Sequence, residues 1–280
     1  MKFKTTLFGA AAFSLAALGI RIAEYFITID AEGYYLQTSA ASILSTVLTV
    51  LLAAGAALCL FAPLGTYKEQ VNLGTLFGQA WMPRILFALM GILSVADGVL
   101  RYFSTIEIWG CIVIGCWLVG AFGWLWLCRS PKRAGLVSLL IVLQLGAQIV
   151  SYFWSTYKYI QISAYVLGML GWCLVLFFAF SLAKTLTGAA CTKGRLAASG
   201  GLVVLLLPAA FLAPLAGSAT AADLLLAMEG VVLTLLAGYT LYTLTKEIPE
   251  EAEEFQVEAP DLSELDTFLE TVPDPEETAE

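Results

Sequence analysis

The sequence predicts an all-α fold, a polytopic transmembrane helix bundle of about eight spans, and three observations carry that expectation. Hydrophobic residues make up 60% of the 280 and charged residues only 13%, against roughly a quarter charged in a soluble globular domain. Stretches such as 43–62 and 134–150 contain no charge at all, and about 20 apolar residues is the length a helix needs to cross the hydrocarbon of a bilayer. The lysines and arginines gather in alternate connections between such stretches, as they do when positive loops are held on one side of a membrane.

Taken in order, the spans are expected near 5–23, 38–61, 84–103, 107–127, 134–154, 160–183, 196–217 and 222–244. The first follows Lys2 and Lys4 with an apolar run, as a signal peptide does, and Ala17 and Gly19 are small enough for cleavage. The run continues through Ile22 to aromatic Tyr25 and Phe26, so the segment is read as an uncleaved anchor. The second carries Thr38, Ser42, Ser45 and Thr49 at intervals of 4, 3 and 4, one stripe that should face protein or water rather than lipid. The third holds Ser94, Asp97 and Arg101 on one face, where the two charges, four residues apart, can neutralise each other. On the fourth, Cys111 with Gly115 and Cys116 with Gly120 have the small-residue spacing that lets helices approach. The fifth repeats the polar stripe as Gln144, Gln148, Ser151 and Ser155. The eighth contains Glu229, with no basic residue three or four positions away.

Placing the N-terminus inside puts Lys2, Lys4, Lys68, Arg84, Arg129, Lys132, Arg133, Lys184, Lys193, Arg195 and Lys246 on the cytoplasmic side and only Arg21, Arg101 and Lys158 on the other. The expectation is a multi-pass plasma-membrane protein with both termini cytoplasmic. Two regions follow. Residues 1–245 form the transmembrane domain and carry +5, whereas residues 246–280 form an acidic, disordered cytoplasmic tail with fourteen acids against one base. Cys59, Cys111, Cys116 and Cys173 fall inside spans and Cys128 and Cys191 in cytoplasmic connections, so no disulfide is expected.

The outward-running helices echo one another. The first ends in Arg21-Ile22-Ala23-Glu24-Tyr25-Phe26, the third in Arg101-Tyr102-Phe103 and the fifth in Ser151-Tyr152-Phe153. Duplicated hairpins and the preference of aromatic rings for the membrane interface both account for the pattern. The connection after the first helix, Ile29-Asp30-Ala31-Glu32-Gly33-Tyr34-Tyr35, resembles the I-D-P-E-T-G-F-Y loop of uncharacterised multi-pass membrane proteins of clostridia-like Firmicutes. It lacks that pattern's proline and threonine, and the match covers about the first 40 residues. The resemblance implies a Gram-positive bacterial plasma membrane and no particular activity.

The sequence contains no histidine, which removes His-ligated haem, His-based zinc sites and Ser-His-Asp machinery. Asp97-Gly98-Val99-Leu100-Arg101 approaches the D-G-x-x-A-R opening of CDP-alcohol phosphotransferases, but the arginine arrives one residue early and the downstream paired aspartates are missing. No phosphate-binding glycine loop occurs either. Neither an enzyme nor a cofactor is expected, and nothing points to nucleic acid.

Ionisable groups within a membrane are costly and mark function by default. Arg21, Asp97, Arg101 and Glu229, with the amides Gln144 and Gln148, are therefore the candidate solute or ion pathway, in the outer half of the bundle. Arg21 and Glu24 also fit side chains that snorkel to the interface. Glu229 needs a partner from another helix, with Arg21 and Arg101 at suitable depth. In the tail, Leu262, Leu265, Phe268 and Leu269 fall at helical spacing and could dock in a cytosolic partner's groove. Two function classes stand at this level: a protein that binds or moves a small solute through the polar cluster, and a membrane scaffold or accessory subunit that recruits a partner through its tail.

Overall fold

The computed structural model describes residues 2–28, 38–64, 66, 71, 81–104, 108–129, 135–156, 163–186, 191–216 and 220–245. They form eight helical rods: α1 (Lys2–Thr28), α2 (Ser39–Phe61), α3 (Trp81–Ser104), α4 (Ile108–Arg129), α5 (Gly135–Thr156), α6 (Ser163–Leu186), α7 (Lys193–Leu207) and α8 (Ala221–Thr245). A π-helical turn over Pro208–Leu212 and a 3₁₀ turn over Ala213–Ala216 prolong α7. Among the described residues, seven rods are long and apolar enough to cross a membrane, α7 being counted with its extension. The eighth, α4, has 22 residues and at 1.5 Å per residue reaches about 33 Å, enough to cross as well. The chain is an integral membrane protein that crosses the bilayer repeatedly. The expected spans coincide with these rods, and the largest difference is at the first, expected over 5–23 and helical over Lys2–Thr28.

Local chemistry sets several helix starts. The Thr38 hydroxyl accepts the Ala41 N–H at 3.2 Å, and that of Thr192 accepts the Arg195 N–H at 3.3 Å. At α8 the device is reciprocal: Asp223 N–H donates to Thr220 Oγ1 at 3.2 Å while Thr220 N–H donates to Asp223 Oδ2 at 2.9 Å. Each contact satisfies an amide that the first helical turn leaves without a partner.

The seventh rod is the axis of the bundle, with 83% of its most apolar stretch buried, against 17–50% for the other spans. Helices α1, α2, α6 and α8 pack around it, and glycines permit the close approach. A Cβ on Gly55 would stand 2.7 Å from Leu205 Cδ1, and one on Gly201 would stand 3.0 Å from both Cys59 Sγ and Thr6 Cγ2. Gly200 faces the Ala237 carbonyl and Leu241. Thr6 and Leu241 therefore lie at one end of the bundle, so α1 begins and α8 ends on the same side, called the terminal side below. Helices α3, α4 and α5 form a second group that meets the first where α3 packs on α8 and α5 on α6. On the terminal side the connection after α2 is pinned to the start of α7: Gly194 N–H donates to the Thr66 carbonyl at 3.3 Å and Val71 N–H to the Cys191 carbonyl at 3.1 Å.

One expectation is narrowed and one corrected. The hydroxyl stripe of α2 is not covered by neighbouring helices. Thr38, Ser42 and Thr49 are exposed and Ser45 is half-buried. The physical reason is local: Thr49 Oγ1 donates to the Ser45 carbonyl at 2.8 Å and Thr46 Oγ1 to that of Ser42 at 2.9 Å. Hydroxyls that bond back to the preceding turn need no neighbouring helix. On α4, Gly115 has no atom within 4 Å of a Cβ position, whereas one on Gly120 would fall 2.4 Å from Gln144 Cβ; only the second small-residue pair meets a helix. The loop around Asp30, the side chains of Cys111, Ser155 and Arg101, and the whole tail, with Leu262, Leu265, Phe268 and Leu269, lie outside what the structure describes.

Candidate functional site

Buried polar groups collect in the interior in two connected tiers. The first is built by α3, α4 and α5. Trp117 Nε1–H donates to Asp97 Oδ2 at 2.8 Å, Trp124 Nε1–H donates to Gln144 Oε1 at 3.1 Å, and Gln144 Nε2–H donates to Ser94 Oγ at 2.9 Å. An indole can only donate, so Trp124 fixes which end of the Gln144 amide faces α4 and leaves the NH₂ for Ser94. Glycines make the room. A Cβ on Gly98 would meet Trp117 Cβ at 2.9 Å, and one on Gly120 would meet Gln144 Oε1 at 2.0 Å. Ser94, Asp97 and Gln144 are all buried, and the helices that carry them close around bonded groups, as a low-dielectric interior demands.

The second tier surrounds the irregular last residues of α7, Pro208–Ala216. Proline at 208 has no N–H, so the helix cannot close its regular bond there, and the wider π turn that follows carries Phe211 into the centre. Phe211 touches α6 and α8 at glycines: a Cβ on Gly230 would lie 2.8 Å from its Cδ2, and one on Gly171 would lie 3.2 Å from its Cζ. Its ring also packs on Trp172, with centroids 5.1 Å apart and planes at 42°. Glu229 precedes Gly230 on α8 and is 3% exposed, although it takes part in a polar or electrostatic interaction.

On the antiparallel pair α5 and α6, the Tyr152 hydroxyl occupies the space beside Gly168, 2.2 Å from where a Cβ would stand. Gln148 lies one turn before Tyr152 on α5, and Trp172 one turn after Gly168 on α6. Both are 2% exposed, yet Gln148 Oε1, Gln148 Nε2 and Trp172 Nε1 have no hydrogen-bond partner. On α1, Ser14 Oγ is likewise buried without one.

Arg21 and Glu24 are paired three residues apart on α1. The expectation that they snorkel to the interface is corrected: they are 4% and 5% exposed, closed in by neighbouring helices. A guanidinium and a carboxylate that neutralise each other can be covered by protein at far lower cost than either alone. Beside them, Tyr25 lies within electrostatic reach of Asp223, Tyr165 and Arg21. The ends of α1, α6 and α8 away from the terminal side thus bear a polar rim, whereas the opposite direction is closed by apolar contacts among Phe178, Val204, Leu241 and their neighbours.

Of the residues singled out from sequence, Ser94 and Gln144 are bonded to each other, Asp97 is bonded to Trp117 on the same helix group, Glu229 adjoins the glycine on which Phe211 packs, Gln148 is buried on α5, and Arg21 pairs with Glu24. Arg101 sits on the last turn of α3, one turn from Asp97. Sequence reasoning missed Trp117, Trp124, Trp172, Phe211 and Ser14. A signal existed for the first two, seven residues apart and so on one face of α4, and Pro208 within an apolar span announced the break. The chain matches no known protein-family model, and no curated protein or solved structure is similar to it.

Proposed function

We propose that this protein binds a small solute beside the irregular last residues of α7 and moves it across a bacterial plasma membrane, with both termini on the cytoplasmic side. The carrying observation is that the most buried helix of the bundle loses regular α geometry over its last residues, Pro208–Ala216, and that buried Glu229 lies next to Gly230, on which Phe211 of that stretch packs. Irregular backbone at membrane depth is tolerated only where protein or water covers it, and in transport proteins interrupted helices near the midplane form the binding site. The polar rim of Tyr25, Asp223 and Tyr165 gives a solute access from the side away from the termini. The apolar packing of Phe178, Val204 and Leu241 is the barrier that must open for release. Asp97 and Glu229 are the carboxylates available for coupling to a proton or a cation.

The test is uptake by the full chain in proteoliposomes, screened with amino acids, sugars, small amides and inorganic ions. Activity should be lost in Glu229→Gln and Asp97→Asn and kept after truncation beyond residue 250. Loss on truncation with both carboxylate variants active would instead place the function in a partner recruited by the tail.

A further inference from the structure

The charges of the bundle are sorted by side. Among the described residues the acids are Glu24, Asp97, Asp223 and Glu229. All four lie in the half away from the terminal side, toward the ends of α1 and α3 and near the start of α8. The terminal side carries Lys4, Arg84, Lys184, Lys193 and Arg195 and, among the described residues, no acid. Lys4, Lys193 and Arg195 stand in the first turns of α1 and α7, and Lys184 in the last turn of α6. Arg84 belongs to the same layer. It is in the first turn of α3, the helices α3 to α6 alternate in direction, and α6 ends on this side with Phe178 against Gly200. Lys4, Arg84 and Arg195 are exposed.

Three helices that bear these cations, α1, α3 and α7, pack directly on α8. Helix α8 ends at Thr245, one turn past Leu241, which meets Gly200 of α7. Residues 246–280 therefore leave the bundle from the middle of the basic face. Their first stretch holds Glu247, Glu250, Glu251, Glu253, Glu254 and Glu258 against Lys246 alone. At no more than about 3.6 Å per residue, Glu254 stays within about 32 Å of Thr245. Packed helices are about 8–10 Å apart, so all five cations are within reach. Exposed ion pairs are individually weak and yield to salt, but a tethered segment meets the face at a high effective concentration. Because α7 is the axis of the bundle, Lys193 and Arg195 stand at the centre of the face rather than at its lipid-facing rim, which favours the chain's own acids over lipid headgroups.

We propose that the stretch 247–258 lies across the terminal face of its own bundle, with its carboxylates against Lys193 and Arg195 at the centre and Lys4, Arg84 and Lys184 around them. The inference goes beyond the solute-binding reading and does not depend on it.

The full chain, one copy per phosphatidylcholine nanodisc, is treated with a water-soluble carbodiimide, which joins a carboxylate to an amine in contact with it, and the links are mapped by mass spectrometry. Links should join Glu250, Glu251, Glu253 or Glu254 to Lys193, Lys4 or Lys184. Chymotrypsin cleavage after Phe255, inside the docked stretch, should become at least fivefold faster at high salt, relative to a free peptide of the same sequence. At low salt it should be at least threefold faster when Lys193→Gln and Arg195→Gln are combined, with helical content kept. If that double variant fails to fold, the links and the salt response of the wild type still decide. An absence of links beyond Lys246, or a cleavage rate unchanged by salt, overturns the proposal, as does a folded double variant that is cleaved like the wild type. In nanodiscs rich in phosphatidylglycerol the links should persist; their loss there would assign the face to lipid headgroups and overturn it too. Neither readout involves a solute, so a failure here is distinct from a failure of the transport reading.

Discussion

Two glutamines one turn apart on α5 should respond to the same substitution with opposite signs. Gln144 has both ends of its amide bonded, to Trp124 and Ser94, whereas neither end of Gln148 has a protein partner. Methionine approximates the volume of glutamine, so the packing change is small in both cases. In Gln144→Met two bonds worth about 0.5–1.5 kcal/mol each are lost and the Trp124 N–H is stranded at about 1–3 kcal/mol, for a destabilisation of roughly 2–6 kcal/mol. In Gln148→Met a buried, unsatisfied amide is removed, and stability should rise by about 1–3 kcal/mol. Reversible SDS titration of helicity, with thermal unfolding in nanodiscs as a second measure, reads both changes. The melting temperatures should move apart, by roughly 2–4 °C per kcal/mol for a chain of this size. A Gln148→Met variant less stable than wild type, or a neutral Gln144→Met, would refute the reasoning, because the two amides would then not differ in what satisfies them.

Gly98→Ala should cost about 1–3 kcal/mol by forcing α3 from Trp117, since the new Cβ would lie 2.9 Å from an atom fixed to the α4 backbone. Gly115→Ala, with open space around it, should not destabilise the bundle, and the same titration compares the two. Thr220→Ala should remove about 1 kcal/mol and speed amide exchange in the first turn of α8, where the reciprocal cap with Asp223 is lost. In a variant without native cysteines, Asp30→Cys should react with an impermeant maleimide in intact cells and Lys132→Cys only after permeabilisation; the reverse pattern would invert the proposed orientation.

Most of the fold was legible because span length and charge-free runs depend on the bilayer alone. Eight rods lie where uninterrupted apolar stretches occur, and the polar stripe of Gln144 and Gln148 turns inward because a primary amide cannot satisfy itself within its own helix. The α2 stripe misleads for the complementary reason: a hydroxyl can, as Thr46 and Thr49 do. Gly115 and Gly120 share the same local spacing pattern, and only the rotation of α4 about its axis distinguishes them. That rotation is set by contacts with α3 and α5, not by residues on α4. The partners of Asp97 and Gln144 were hidden similarly, since finding Trp117 and Trp124 requires the vertical register between helices. The open amide of Gln148 could not be inferred at all, because its bonding depends on what three other helices fail to supply.

The central position of α7 has a consequence for how the protein is made. Chain growth delivers α7 after six other helices, yet α1 and α2 pack on it, so their inward faces meet their permanent neighbour only when synthesis is nearly complete. Until then α1 must reside in the bilayer with Arg21 and Glu24 aboard, and their pairing within one helix lets it wait without help from another segment. The group α3, α4 and α5 has no such delay, because its indole and amide bonds join helices that emerge consecutively. The most buried helix of the bundle and its follower α8 therefore complete the packing of α1, and a chain stopped after α6 would lack the neighbours that cover the inward faces of α1 and α2.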